Sequence, residues 1–201
     1  MTRPLLYTLA YTIPASLFVG SLLVGPWTWM TLVYVFGVVP CVDGLMGRSL
    51  RNPVDEQTSK PGVLYDVLLW LWFPVQLGLM GWIFQRVTST NLSTVESLGL
   101  VLSLGAVTGA GGITVAHELM HRKSAFERAL AEALMTVVAY PHFCIEHVFG
   151  HHRHVGTPQD PATAKAGQSV YAFFRQSLIG GVLSAWRIEG ERVRRHRPGL
   201  L

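Results

Sequence analysis

The sequence predicts an all-α, integral-membrane helical bundle with about four transmembrane helices. Three observations lead there. Half of the 201 residues are hydrophobic and only 14% are charged, where a soluble domain carries roughly a quarter charged residues. Several apolar stretches reach the roughly 20 residues that a helix rising about 1.5 Å per residue needs to cross a hydrocarbon core of about 30 Å. Lipid offers the backbone no hydrogen-bond partner, so helices are the plausible spans at this length and hydropathy.

Taken in order, Leu5 to Gly25 is uncharged and forms the first span, and Pro26 turns the chain into a second from Trp27 to about Leu45. The first span lacks an Ala-x-Ala cleavage pattern and reads as an anchor that stays. Met46 to Gly62 holds Arg48, Arg51, Asp55, Glu56 and Lys60 with Pro53 and Pro61, a composition for a loop between two hairpins. Val63 to Phe84 is the third span, and a polar link around Thr88 to Thr94 leads to a fourth from Val95 to Ala116. Gly105, Gly109, Gly111 and Gly112 in that fourth helix allow close helix packing, and Trp27, Trp29, Trp70, Trp72 and Trp82 suit span ends or packing. Beyond it, Ser124 caps a helix from Ala125 to about Cys144, with Glu127 completing a Ser-x-x-Glu capping pattern.

Five basic residues (Arg3, Arg48, Arg51, Lys60, Arg86) precede His117 and all the others follow it. Four spans place Arg3, the 46–62 loop and everything after His117 on one side, and the positive-inside rule makes that side cytoplasmic. A basic tail beside apolar spans reads as surface near anionic lipid, with no nucleic-acid partner. Cys41 and Cys144, the two cysteines, lie in apolar runs; they give no disulfide framework or Cys-based zinc box and read as buried small hydrophobes.

The chemistry lies in the histidines. His117-Glu118-Leu119-Met120-His121-Arg122 puts two imidazoles at i and i+4, on one helical face. Alone, this pattern also fits a membrane zinc peptidase in which Glu118 is the general base. A second cluster, Glu146-His147-Val148-Phe149-Gly150-His151-His152, offers His147 and His151 at i and i+4 with His152 behind. Five of the eight histidines thus fall into two short boxes, too many for one catalytic zinc. Two metal ions are implied. Imidazole suits zinc, copper, iron and nickel alike, so spacing leaves the metal's identity open. Glu118, Glu146 and His142, one helical turn before Glu146, are candidates to hydrogen-bond and orient the ligand rings. His154 and His196, the latter between Arg195 and Arg197, read as surface, and Asp160-Pro161 as the end of a structured loop.

His-Glu-x-x-His-Arg, followed by His142, Phe143, Cys144, Ile145, Glu146, His147, Gly150, His151 and His152 and then by Val155, Thr157, Pro158, Asp160, Pro161, Ala162 and Ala164, resembles the membrane-bound alkane hydroxylase and xylene monooxygenase family within the fatty acid desaturase superfamily. The resemblance covers essentially the whole chain. It implies a di-iron centre held by histidines at cytoplasmic helix ends in a bacterial inner membrane. There, oxygen would hydroxylate a terminal C–H bond of an alkane or related apolar substrate, with electrons from a rubredoxin-type donor. On this reading His117, His121, His147, His151 and His152 are iron ligands. An unactivated C–H bond offers neither an acidic proton nor a leaving group, so acid–base residues alone cannot break it. An apolar substrate also partitions into lipid, where the catalyst sits. The family's later boxes, Asn-Tyr-x-Glu-His-Tyr-Gly and His-x-x-His-His, do not occur in these 201 residues. The expectation is therefore one hydroxylase-like domain over 1–201, truncated at its C-terminus, with a catalytically incomplete fragment and a zinc peptidase as the alternatives.

Overall fold

A computed structural model describes residues 4–47 and 62–196, and every regular element among them is helical. Most of the expected 46–62 loop, Arg3, Arg197 and the C-terminal leucines lie outside the described residues. Contacts divide the chain into two compact units, 1–115 and 116–201.

The first unit contains α1 (Thr8–Leu23), α2 (Gly25–Met46), α3 (Val63–Ser89) and most of α4 (Thr94–Met120). Helices α2, α3 and α4 are long and apolar enough to cross a membrane, and α1 is a shorter apolar helix. The chain reverses where expected, with Val24 and Gly25 at φ of 52° and 58° and Pro26 in the first turn of α2, where its missing N–H costs nothing. Helix α3 runs on to Ser89, leaving a link of residues 90–93. Helix α4 carries His117 inside its own last turn instead of ending before the motif.

Lipid supplies no hydrophobic force between helices, so close approach and polar contacts must hold them together. Trp82 Nε1 donates to Ser21 Oγ at 2.8 Å, joining α3 to α1. Ser16 Oγ bonds Thr31 Oγ1 at 3.0 Å between α1 and α2, and Ser103 Oγ of α4 donates to the Thr28 carbonyl at 3.1 Å. Gly99 lies against Thr28 and Trp29, while Gly111 and Gly112 lie against Trp72 and Gln76. The start of α4 is fixed by a reciprocal capping box between Ser93 and Glu96. The other Glu96 oxygen accepts the Gly25 amide at 2.8 Å, tying that corner to the α1–α2 turn.

The second unit contains α5 (Ala125–Val137), the helical segment α6 (142–154) and α7 (Val170–His196). Ser124 caps α5 as expected, and Glu127, Ala131, Leu134 and Met135 form its buried face. The helix stops at Val137, short of the expected Cys144, because Ala139 turns to a φ of 58° and Pro141 cannot continue the hydrogen-bond ladder. Helix α7 lies beyond the elements expected from the sequence. Cys144 is half-buried, and burial pushes its thiol up to about 11. Cys41, expected to be buried, is exposed on α2.

Candidate metal centre

The end of α4 and the residues just past it deliver His117 and His121, and α6 delivers His147, His151 and His152. Four of these rings converge through Nε2. His147 Nε2 stands 2.8 Å from His117 Nε2, 3.2 Å from His121 Nε2 and 3.0 Å from His152 Nε2. An imidazole nitrogen has one in-plane position, either a lone pair or an N–H, so no choice of tautomers turns three such contacts into three hydrogen bonds. Nitrogens about 2.1 Å from one ion and at right angles to one another stand about 3.0 Å apart. The donor set of His117, His121 and His147, whose ligand atoms all lie within 4.8 Å of one another, could therefore hold a metal ion.

His147 is the buried member. Burial, followed by the neighbouring rings of His117, His152, His121 and His151, pushes its pKa down to about 4. His121 is lowered too, first by burial and then by the His117 and His152 rings, against a smaller opposite effect of Glu118. Both rings are thus biased toward the neutral form that a metal requires.

Residues Glu146–His151 form a π-helical turn, a feature often found at functional sites. Its i→i+5 bonding brings His147 and His152 tip to tip, where the i and i+4 spacing of His147 and His151 had suggested the leading pair. His151 instead stacks on His147, with ring centroids 5.3 Å apart and planes inclined by 18°. Phe143 stacks on His147 as well, at 4.9 Å and 21°. His151 Nδ1 contacts the buried carboxylate of Asp160 at 2.9 Å.

Residues 93–199 match the family model for fatty acid desaturases. The chain belongs to the fatty acid desaturase family. It is 38% identical over 183 residues to alkane 1-monooxygenase 2 of Pseudomonas aeruginosa, an alignment covering 88% of this chain and 48% of that protein. It is 35% identical over 197 residues to alkane 1-monooxygenase 1 of Alcanivorax borkumensis, covering 94% and 48%. To the hydroxylase component of a xylene/toluene monooxygenase from Pseudomonas putida it is 30% identical over 193 residues, covering 94% and 50%. The chain thus spans about half the length of the curated relatives it matches. With its long apolar helices, this desaturase-family chain is an integral membrane protein.

The remaining candidate residues of this family member occupy different surroundings. Glu118 turns to Arg122, which bonds it at 2.9 Å one helical turn away on the surface. Glu146 is buried. Burial and the Asp160 carboxylate raise its carboxyl pKa, against a hydrogen bond from Ser184 and the charges of His151 and His154. Its Oε1 is buried without a hydrogen-bond partner. His142 meets Tyr140 edge-on at 4.5 Å; burial lowers its pKa, and its Nε2 is likewise buried and unpartnered. His196 caps its own helix, Nδ1 to the Arg192 carbonyl at 2.9 Å, on the exposed end of α7. The sequence carried no sign of Ser184, which arrives from α7. It did carry Asp160, in the Thr-Pro-x-Asp-Pro run, but as the end of a loop.

Proposed function

We propose that this chain contributes part of a histidine-ligated di-iron centre for oxygen-dependent hydroxylation of the terminal C–H bond of an alkane or related apolar substrate. The observation that carries the reading is the convergence of His117, His121 and His152 on His147 Nε2. It is supported by family membership and by relatives named alkane 1-monooxygenase. His117, His121, His147, His151 and His152 would hold iron, with further ligands from the other half of a full-length protein. Iron bound there supplies the oxygen activation that a C–H bond without an acidic proton demands. The protein's own residues keep rings neutral by burial, set ring planes by stacking, and tie His151 to Asp160. Glu146 and His142 would orient the rings, whereas Glu118, assigned the same role from the sequence, pairs here with Arg122 on the surface. In this proposal residues 1–201 belong to one hydroxylase domain in the bacterial inner membrane, its histidines on the cytoplasmic side within reach of a rubredoxin-type electron donor.

The convergence of His147 and His152 on the same point favours this over a zinc peptidase built from His117, His121 and Glu118. The deciding experiment is metal analysis of a full-length protein containing this chain, with terminal hydroxylation of octane as the assay. About two irons per protein are expected, together with loss of both iron and hydroxylation in His147→Ala. One zinc with no iron, or hydroxylation surviving in His147→Ala, would overturn the proposal.

A further inference from the structure

Asp160 is 2% exposed, and a buried carboxylate needs donors to replace its lost water. The Ala162 N–H donates to Oδ1 at 2.9 Å, and the Thr163 hydroxyl donates to Oδ2 at 2.5 Å. The Thr163 oxygen also accepts the Gly156 N–H at 3.0 Å, which leaves its own proton available to the carboxylate. Loop closure accounts for those two donors. The third partner is His151 Nδ1, 2.9 Å from Oδ2. With a backbone N–H and a hydroxyl already aimed at its two oxygens, the carboxylate is placed as an acceptor, and Nδ1 is the donor.

The loop has its own brace. Gln176 Nε2 on α7 donates to the Pro161 and Thr163 carbonyls, both at 3.0 Å, and its Oε1 accepts from Gln168 Nε2 at 3.0 Å. Gly180, one turn further along α7, packs so closely on Pro161 that a Cβ would stand 2.6 Å from the proline side chain. The carboxylate is thus anchored to a long helix while it grips a ring nine residues earlier in the chain.

We infer that Asp160 is a positioning residue of the metal site: it holds His151 as the Nδ1–H tautomer, leaves the Nε2 lone pair free for a metal, and fixes the ring's direction from a loop braced by Gln176. The inference rests on the proposed role of His151 as a ligand. In that role, loss of the carboxylate weakens metal binding by about 10- to 100-fold.

The test uses the full chain in detergent with ¹⁵N-labelled histidine and with Co(II) alone as the probe. His151 resonances are assigned by difference against His151→Ala. In metal-free Asp160→Ala, Nδ1 is expected to move from its protonated position toward the mixed-tautomer average, and Co(II) affinity to fall by about 10- to 100-fold. Thr163→Val, which removes two loop bonds and leaves the His151 contact, should leave the Nδ1 signal in place and change Co(II) affinity by no more than about threefold. Asp160→Asn keeps the shape and should show the same tautomer shift in smaller degree even where the alanine variant does not fold. In a His151→Ala background, Asp160→Ala should add no further loss.

An unchanged Nδ1 signal in Asp160→Ala and Asp160→Asn, a loss in Thr163→Val equal to that in Asp160→Ala, or an additive double variant would each overturn the inference. A tautomer shift without any change in Co(II) affinity, with His151→Ala also binding normally, overturns the ligand role of His151 and leaves its orientation by Asp160 standing. Absence of Co(II) binding in the unaltered chain overturns the metal-positioning role itself.

Discussion

His147 is the ring on which three others converge, and its surroundings give it a testable pH signature. An ordinary histidine titrates at 6.5, and this one is held at about 4 in the fold. Between those values the unfolded chain binds a proton at this position that the folded chain does not, so stability rises with pH across the window. The contribution is fully present above 6.5 and is lost as pH falls toward 4. The unfolding midpoint of the metal-stripped protein in detergent should therefore drop as pH is lowered from 7 to about 4.5, and His147→Gln should flatten that slope. An unaltered slope in the variant would refute the assignment. At this scale the sequence disclosed which residue types gather but not how they pair. The i and i+4 rule selected His147 with His151, whereas the π turn pairs His147 with His152 and frees His151 for Asp160. That partner lies across a loop whose path no local periodicity encodes.

Helix α4 shows what was legible at the level of elements. Length and hydropathy marked its span, and its glycines marked close packing, yet they did not tell which glycine matters. The structure divides them by contact. A Cβ on Gly111 would stand 2.0 Å from the ring of buried Trp72, and one on Gly112 would stand 2.1 Å from Gln76 Oε1. Around Gly109, two residues earlier, nothing lies within 4 Å of the Cβ position. Gly111→Ala should accordingly destabilise the protein by about 1–3 kcal/mol through overpacking. Gly109→Ala should be neutral or stabilising by up to about 1 kcal/mol, the helix propensity difference. Unfolding of both variants in detergent measures the contrast, and equal effects would show that the Trp72 contact does not limit packing. The π-helical turns Tyr34–Val38, Val107–Ile113 and Glu146–His151 were illegible for a different reason. Each departs from 3.6-residue spacing for a single turn, within a run whose composition remains that of an α-helix. The end of α5 was misplaced: the expected helix ran through Pro141 to about Cys144, and the positive φ of Ala139, a residue with no preference for it, left no sign in the sequence.

For the molecule as a whole, the apolar helices define spans and the basic residues define direction. Helices α3 and α4 are joined by residues 90–93, so in a bilayer Val63 and Met120 face one compartment and Thr90 faces the other. Arg86, in the last turn of α3, is the cation nearest the short link. Arg122, Lys123 and Arg128 follow α4 within eight residues of its end, and Arg153 and Lys165 come later. If Lys and Arg are retained on the cytoplasmic side, the link lies outside and the histidines inside, as proposed above. Cysteine accessibility tests this in intact cells, in a chain whose Cys41 and Cys144 are serine. Thr90 and Gln159 are both exposed in the fold, so burial does not bias the comparison. A membrane-impermeant maleimide should label Thr90→Cys in intact cells and Gln159→Cys only after permeabilisation. The reverse pattern would put the rings on the periplasmic face, away from any cytoplasmic electron donor. The proposed electron supply would fail with it, while the ring cluster, defined by distances within the second unit alone, would remain.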